Sequence, residues 1–308
     1  MSTSQDEATT KQTSKIETQV APAPFNDQTA DIIIISSDNV HFYVHKLLLS
    51  LVSPVFQTMF SLPSHDNQLQ ETQDGRPYVT VAEDSCCLVQ LLLWCDPRCS
   101  PKLTKLEDFQ TVLELADKYS MEDIMTRVKD ILLSVNTVIS PDPLAFFAVS
   151  TRFGCKELAE RSARKILEIP FREWEMIPEM KHISAFALQN LIGYRHKCED
   201  AASSVAKHFA WINRTVRPAS FFTTRCGDGC KQEERNGKFW LVWWLKYMDL
   251  AGTILRQTPC GQAVEMGILM QQIHTEISIG SCGSCRREGH ECLDTFSRIL
   301  AVKVEKKN

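Results

Sequence analysis

Four cysteines are spaced for metal chemistry, as Cys226-x3-Cys230 and Cys282-x2-Cys285. Thiolates are soft donors that suit zinc, and two such pairs on separate loops can supply a tetrahedral set of four. Gly227, Gly229 and Gly283 sit within or beside the pairs, where they let the backbone turn tightly around an ion. Structural zinc is therefore the expected cofactor, tying an internal loop to the C-terminal part of the chain. A competing set is Cys282-x2-Cys285-x4-His290-x-Cys292, whose opening resembles a knuckle but whose last spacing is short. A third reading leaves these residues as thiols without metal.

No other spacing in the chain carries recognisable chemistry. G-x-S-x-G, P-loop and H-E-x-x-H patterns are absent, and Gly227-x-Gly229 lacks the third glycine of a dinucleotide loop. Eight histidines are scattered, and none pairs convincingly with a nucleophilic cysteine or serine. The expectation is a protein that is not an enzyme. Trp240, Trp243, Trp244 and Tyr247 recur at i, i+3, i+4, i+7, the spacing of one helix face. Trp240 and Trp244 could anchor a partner, since aromatic residues dominate binding hot spots. Helical stripes are usually core, and the favoured reading is that this one is the core of a C-terminal domain.

The elements that position these residues divide into two kinds. Ile32–Ile35 is an unbroken apolar run, which suits a strand buried on both faces. Ser36-Ser37-Asp38-Asn39 supplies turn chemistry, and His41–Val44 completes a hairpin. A leucine-rich helix follows and breaks at Ser53-Pro54, where serine can cap and proline can open the next helix. Pro77–Val81 reads as a third strand, and amphipathic helices run from there to Val135. In one of them Phe109, Val112, Leu113 and Ala116 share a face. The first part is thus α+β, a short sheet with surrounding helices. From Pro143 onward the chain reads as all-α, with Arg214–Lys238 irregular, Phe239–Arg256 helical and Cys282–Cys292 a compact loop.

The ordered positions from Asp31 to about Val135 resemble a BTB/POZ domain. The likeness lies in Asp31 opening the first strand, Phe42 and Val44 in the second, then His45-Lys46, Leu49, Ser53, Phe56 and Met59-Phe60. Leu91-Leu92 and Ala116-Asp117-Lys118-Tyr119 continue it. The whole chain also resembles fungal BTB proteins that carry a helical C-terminal region with paired cysteines. The resemblance implies a homodimer formed through the hairpin and the following helix. It implies a charged pocket there, placed at Asp31 and at His45 or Lys46, with Leu48 adding apolar surface. It also admits a second role, as substrate adaptor of a cullin-type ubiquitin ligase. Adaptors often show a hydrophobic-x-Glu triplet, and Leu69-Gln70-Glu71 fits that pattern. A third role is transcriptional co-regulation without direct DNA binding. The segment before the hairpin offers only Ile16 and Val20 as strand residues ahead of Pro22 and Pro24, which argues against exchange of an N-terminal strand between copies.

The expected boundaries are 1–27 as a disordered tail, 28–136 as the BTB/POZ domain, 137–170 as a helical extension and 171–308 as a helical domain stapled by zinc. Lysine and arginine number 34 against 38 acidic residues, a net charge of −4 that offers phosphate backbones no footprint. Direct nucleic-acid binding is not expected, nor is a membrane span, since no run of about 18 apolar residues occurs. Residues 1–24 are polar and lack the apolar core of a secretory signal. Twelve cysteines then point to a reducing cytoplasm or nucleus. The expected partners are a second copy of the chain, an unidentified protein held by the C-terminal region and, in the adaptor reading, a cullin.

Overall fold

The computed structural model describes residues 19–61, 70–71, 75–134, 142–212, 230–235 and 237–307. Two compact units divide the chain, Met1–Val138 and Ile139–Asn308.

The first unit is built on a five-stranded sheet of order β1-β3-β2-β5-β4: β1 Gln19–Val20, β2 Ile32–Ile35, β3 Val40–Val44, β4 Gln70–Glu71 and β5 Pro77–Thr80. β2 lies at the centre, antiparallel to β3 and parallel to β5. Ile32, Ile33 and Ile34 are fully buried, which is why the run carries no polar alternation. The hairpin turn is fixed twice. The Ser36 hydroxyl accepts the Val40 N–H at 2.9 Å, and Asn39 takes φ +62°, a conformation asparagine tolerates. β1 extends the sheet by pairing in parallel with β3 of the same chain, and Phe25 is buried. Residues 19–27, expected at the end of a disordered tail, are therefore structured. Val20, one of the two strand candidates ahead of Pro22, lies in this two-residue strand.

Helices α1 Lys46–Val52 and α2 Pro54–Ser61 are separated by Ser53, which is fully buried. Its hydroxyl accepts the Phe56 N–H at 3.1 Å and donates to the Tyr119 carbonyl at 2.6 Å. One side chain thus caps α2 and ties it to the residue that ends the fourth helix. Phe56 stacks on Tyr119 with ring centres 4.6 Å apart. α3 Ser85–Cys95 is capped by Asp84, which accepts the Cys87 N–H at 2.8 Å. α4 Leu106–Lys118 buries the predicted face of Phe109, Val112, Leu113 and Ala116. α5 Glu122–Ser134 closes the unit.

The second unit begins with α6 Pro143–Arg152, capped by Asp142, and α7 Lys156–Ile166. Leu144, Phe147, Ala163 and Ile166 share one apolar cluster with Leu191 of α8 Ala185–Lys207. The helical hairpin of the expected extension 137–170 is therefore packed into the same core as α8. A hairpin of β6 Gln232–Arg235 and β7 Lys238–Leu241 turns at Gly237, whose φ of +73° suits glycine. α9 Val242–Leu255, α10 Gly267–Gly280 and α11 Gly283–Glu305 complete the unit.

The structure corrects three local expectations. The C-terminal region is helical but also holds the β6–β7 hairpin. Trp240 lies in β7, not on the aromatic helix, although it stacks on Trp244 at 4.5 Å. Residues 283–292 are the opening turns of α11, not a loop. Two glycines in that stretch resemble loop punctuation, yet Gly289 marks close helix packing: a Cβ there would sit 3.0 Å from Ile277 of α10.

Candidate functional site

In the first unit, the end of β3 and the start of α1 border a shallow recess. Phe25, Val44, Leu49 and Leu92 provide apolar wall, Asp27, Asp96 and Arg98 provide charge, and His45 adds a polar ring. Arg98 grips Asp96 with two parallel bonds, Nε to Oδ1 at 2.9 Å and Nη2 to Oδ2 at 2.6 Å. That fork geometry is the strong form of an arginine–carboxylate contact, and it holds the Asp96 carboxyl below its ordinary range. Asp27 lies 3.7 Å from Arg98 Nη1 and 3.8 Å from His45 Nε2. Its carboxyl is held low chiefly by hydrogen bonds from the Thr29 hydroxyl and N–H.

The sequence-derived pocket residues separate in the structure. His45 and Leu48 line the recess. Asp31 does not: it is exposed, and its Oδ1 accepts the Lys46 N–H at 2.8 Å, satisfying one of the orphan donors at the start of α1. Lys46 is half-buried and also lies outside the lining. Asp27, Asp96 and Arg98 went unrecognised in the sequence. The Asp96-Pro97-Arg98 corner reads as an ordinary loop until folding brings Asp27 beside it.

Beside this recess α1 carries Leu47 and Leu51, which are 67% and 72% exposed. They stand at i and i+4, so they share one face of the helix. β1, with Val20 half exposed, forms the edge of the sheet next to β3.

In the second unit Cys230, Cys282 and Cys285 converge, their sulfurs all within 4.8 Å of one another. Cys230 stands just before β6, Cys282 is the N-cap of α11 and Cys285 lies in its first turn. The Cys282 N–H donates to the Cys230 sulfur at 3.2 Å. Cys226 lies outside the described residues, as does Leu69 of the Leu69-Gln70-Glu71 triplet. Glu71 belongs to β4, where it is the register partner of Pro77. His290 is not part of the sulfur cluster. Its Nδ1 meets His274 Nδ1 at 2.6 Å, and His274 Nε2 lies 3.2 Å from Asp294 Oδ1.

Trp240 and Trp244 are 5% and 0% exposed. Together with Trp243, Tyr247 and Phe296 they form the centre of the second unit's main core. The aromatic stripe is packing, and it offers no free face for a partner in this unit.

Among the described residues no helix is long and apolar enough to cross a membrane. Residues 23–135 match the family model of the BTB/POZ domain. No curated protein matches the chain.

Proposed function

Residues 23–135 are a BTB/POZ domain, and from that premise we propose that the chain is a non-enzymatic scaffold whose first unit self-associates and whose second unit is presented to a partner protein. The BTB/POZ domain is a protein–protein interaction module, which gives the general role. The observation that carries self-association is the face of α1. Two leucines one helical turn apart are each about two-thirds exposed or more, beside a recess edged with paired charges. An isolated exposed leucine needs no explanation, whereas an aligned pair on a short helix in an interaction module favours a covered surface. A second copy can cover it by two-fold symmetry, since the same face then meets itself. The polar rim of Asp27, His45, Asp96 and Arg98 would set register more than affinity. The reducing cytoplasm or nucleus fits a chain with this many cysteines.

Two full-length copies with different affinity tags, co-expressed and captured through one tag, test this reading. The second tag should co-purify, and Leu47→Glu/Leu51→Glu in both copies should abolish its recovery. Absence of the second tag with the unaltered chain would contradict the proposal.

A further inference from the structure

We propose that Cys230, Cys282 and Cys285 bind one zinc ion that fastens the start of the β6–β7 hairpin to the start of α11. The three thiols come from two segments about fifty residues apart, so their convergence is a product of the fold and not of local sequence. In a tetrahedral site with Zn–S bonds of about 2.3 Å, sulfurs stand about 3.8 Å apart. A separation within 4.8 Å for all three pairs needs only small side-chain adjustments to reach that spacing.

The surroundings suit a cluster of sulfur ligands. The Cys282 N–H already points at the Cys230 sulfur, the kind of hydrogen bond that stabilises a ligating thiolate. Cys282 and Cys285 sit at the N-terminal end of a 23-residue helix, where the aligned peptide dipoles stabilise negative charge. Cys285 is buried and the other two are half-buried, which limits competition from water. An all-sulfur donor set selects soft or borderline metals and disfavours magnesium and calcium. Three protein thiolates leave the fourth tetrahedral position to water or to an added donor. On binding, each thiol that ligates gives its proton to solvent, so metal uptake weakens as pH falls.

The site is structural. It lies at the rim of the core built by Trp240, Trp244 and Phe296, with Cys230 packed against that core. A zinc there restrains the hairpin whose second strand carries Trp240.

The test uses the full chain purified in the presence of reductant, with zinc measured by plasma mass spectrometry. About one zinc per chain is expected. Cys230→Ser and Cys285→Ser should each lose it, while Cys86→Ser, in the first unit, should retain it. Cobalt(II) added to metal-free protein should produce the intense visible bands of tetrahedral thiolate coordination. If the serine variants fail to fold, the unaltered protein still decides the matter. Zinc should then protect the peptides carrying Cys230, Cys282 and Cys285 from alkylation and leave the Cys86 peptide reactive. Zinc-independent alkylation, negligible zinc in reduced protein, or a disulfide among the three thiols would overturn the proposal.

Discussion

Arg195 shows how much one residue can organise. Its side chain is 1% exposed, yet it is charged and lies on α8. Nη1 donates to the carbonyls of Ile169 at 2.9 Å and Ile166 at 3.2 Å, and Nη2 donates to that of Gln257. Nε pairs with Glu199 at 2.8 Å, and the guanidinium lies 5.4 Å from the Trp174 ring centre. The ends of α7 and α9 are thus held by one cation that satisfies carbonyls at and just beyond their last turns. Arg195→Met should destabilise the second unit by about 3 kcal/mol, because Glu199 Oε1 and the carbonyls of Ile166, Ile169 and Gln257 each lose a charged donor together. Urea unfolding followed by tryptophan fluorescence reads this unit, since five of the six tryptophans belong to it and Trp94 alone to the first. Ser53→Ala should cost the first unit about 2 kcal/mol through the lost cap and the orphaned Tyr119 carbonyl, measurable by amide hydrogen exchange in α2. Ser53 was legible in the sequence, because serine before proline at a break in a leucine run has a local meaning. Arg195 was not, because an arginine among polar helix residues reads as solvated until its three carbonyl partners converge on it.

At the scale of elements, the contact between α10 and α11 carries a built-in pH response. His274 and His290 share one short contact between ring nitrogens, so at least one ring must be neutral to accept. Burial, and then the neighbouring His274, push the His290 pKa below its ordinary value of 6.5, while Asp294 opposes them. A histidine with a lowered folded-state pKa binds its proton more readily when unfolded. Stability is therefore complete above about pH 6.5 and is lost as pH falls from there toward the lowered value. The melting temperature of the second unit should drop as pH falls below about 6.5, and His290→Gln should flatten that dependence. A pH profile unchanged by the variant would exclude the pair as its source. Elements were legible where one pattern dominated, as in the isoleucine run of β2 or the apolar face of α4. They were misread where a tertiary demand imitated a local signal. Gly289 permits a helix to approach Ile277, and its neighbourhood looked like a loop. Trp240 kept the spacing of a helix stripe while belonging to a strand, because stacking on Trp244 needs only proximity.

For the whole molecule, the chain divides into two compact units, and the proposed roles are divided between them. The family of the first unit could be read from ordered residues spread over a hundred positions, since turns, caps and buried faces each left a mark. The site was less legible. His45 and Leu48 were placed, whereas Asp27, Asp96 and Arg98 meet only across the fold. In the second unit three of the four expected cysteines come together, while the tryptophans that suggested a partner surface instead form core. If the first unit pairs through α1 by two-fold symmetry, Leu47 and Leu51 each occur twice in the interface. Replacing both with glutamate removes four buried leucines, and at about 1.5 kcal/mol or more each this weakens pairing at least about ten-thousandfold. Sedimentation velocity of the full chain at micromolar concentration is the most direct measurement. The unaltered protein should sediment at twice the 35.0 kDa of one chain and the Leu47→Glu/Leu51→Glu variant at the mass of one. A monomeric unaltered protein, or a dimer indifferent to both substitutions, would contradict self-association through this helix.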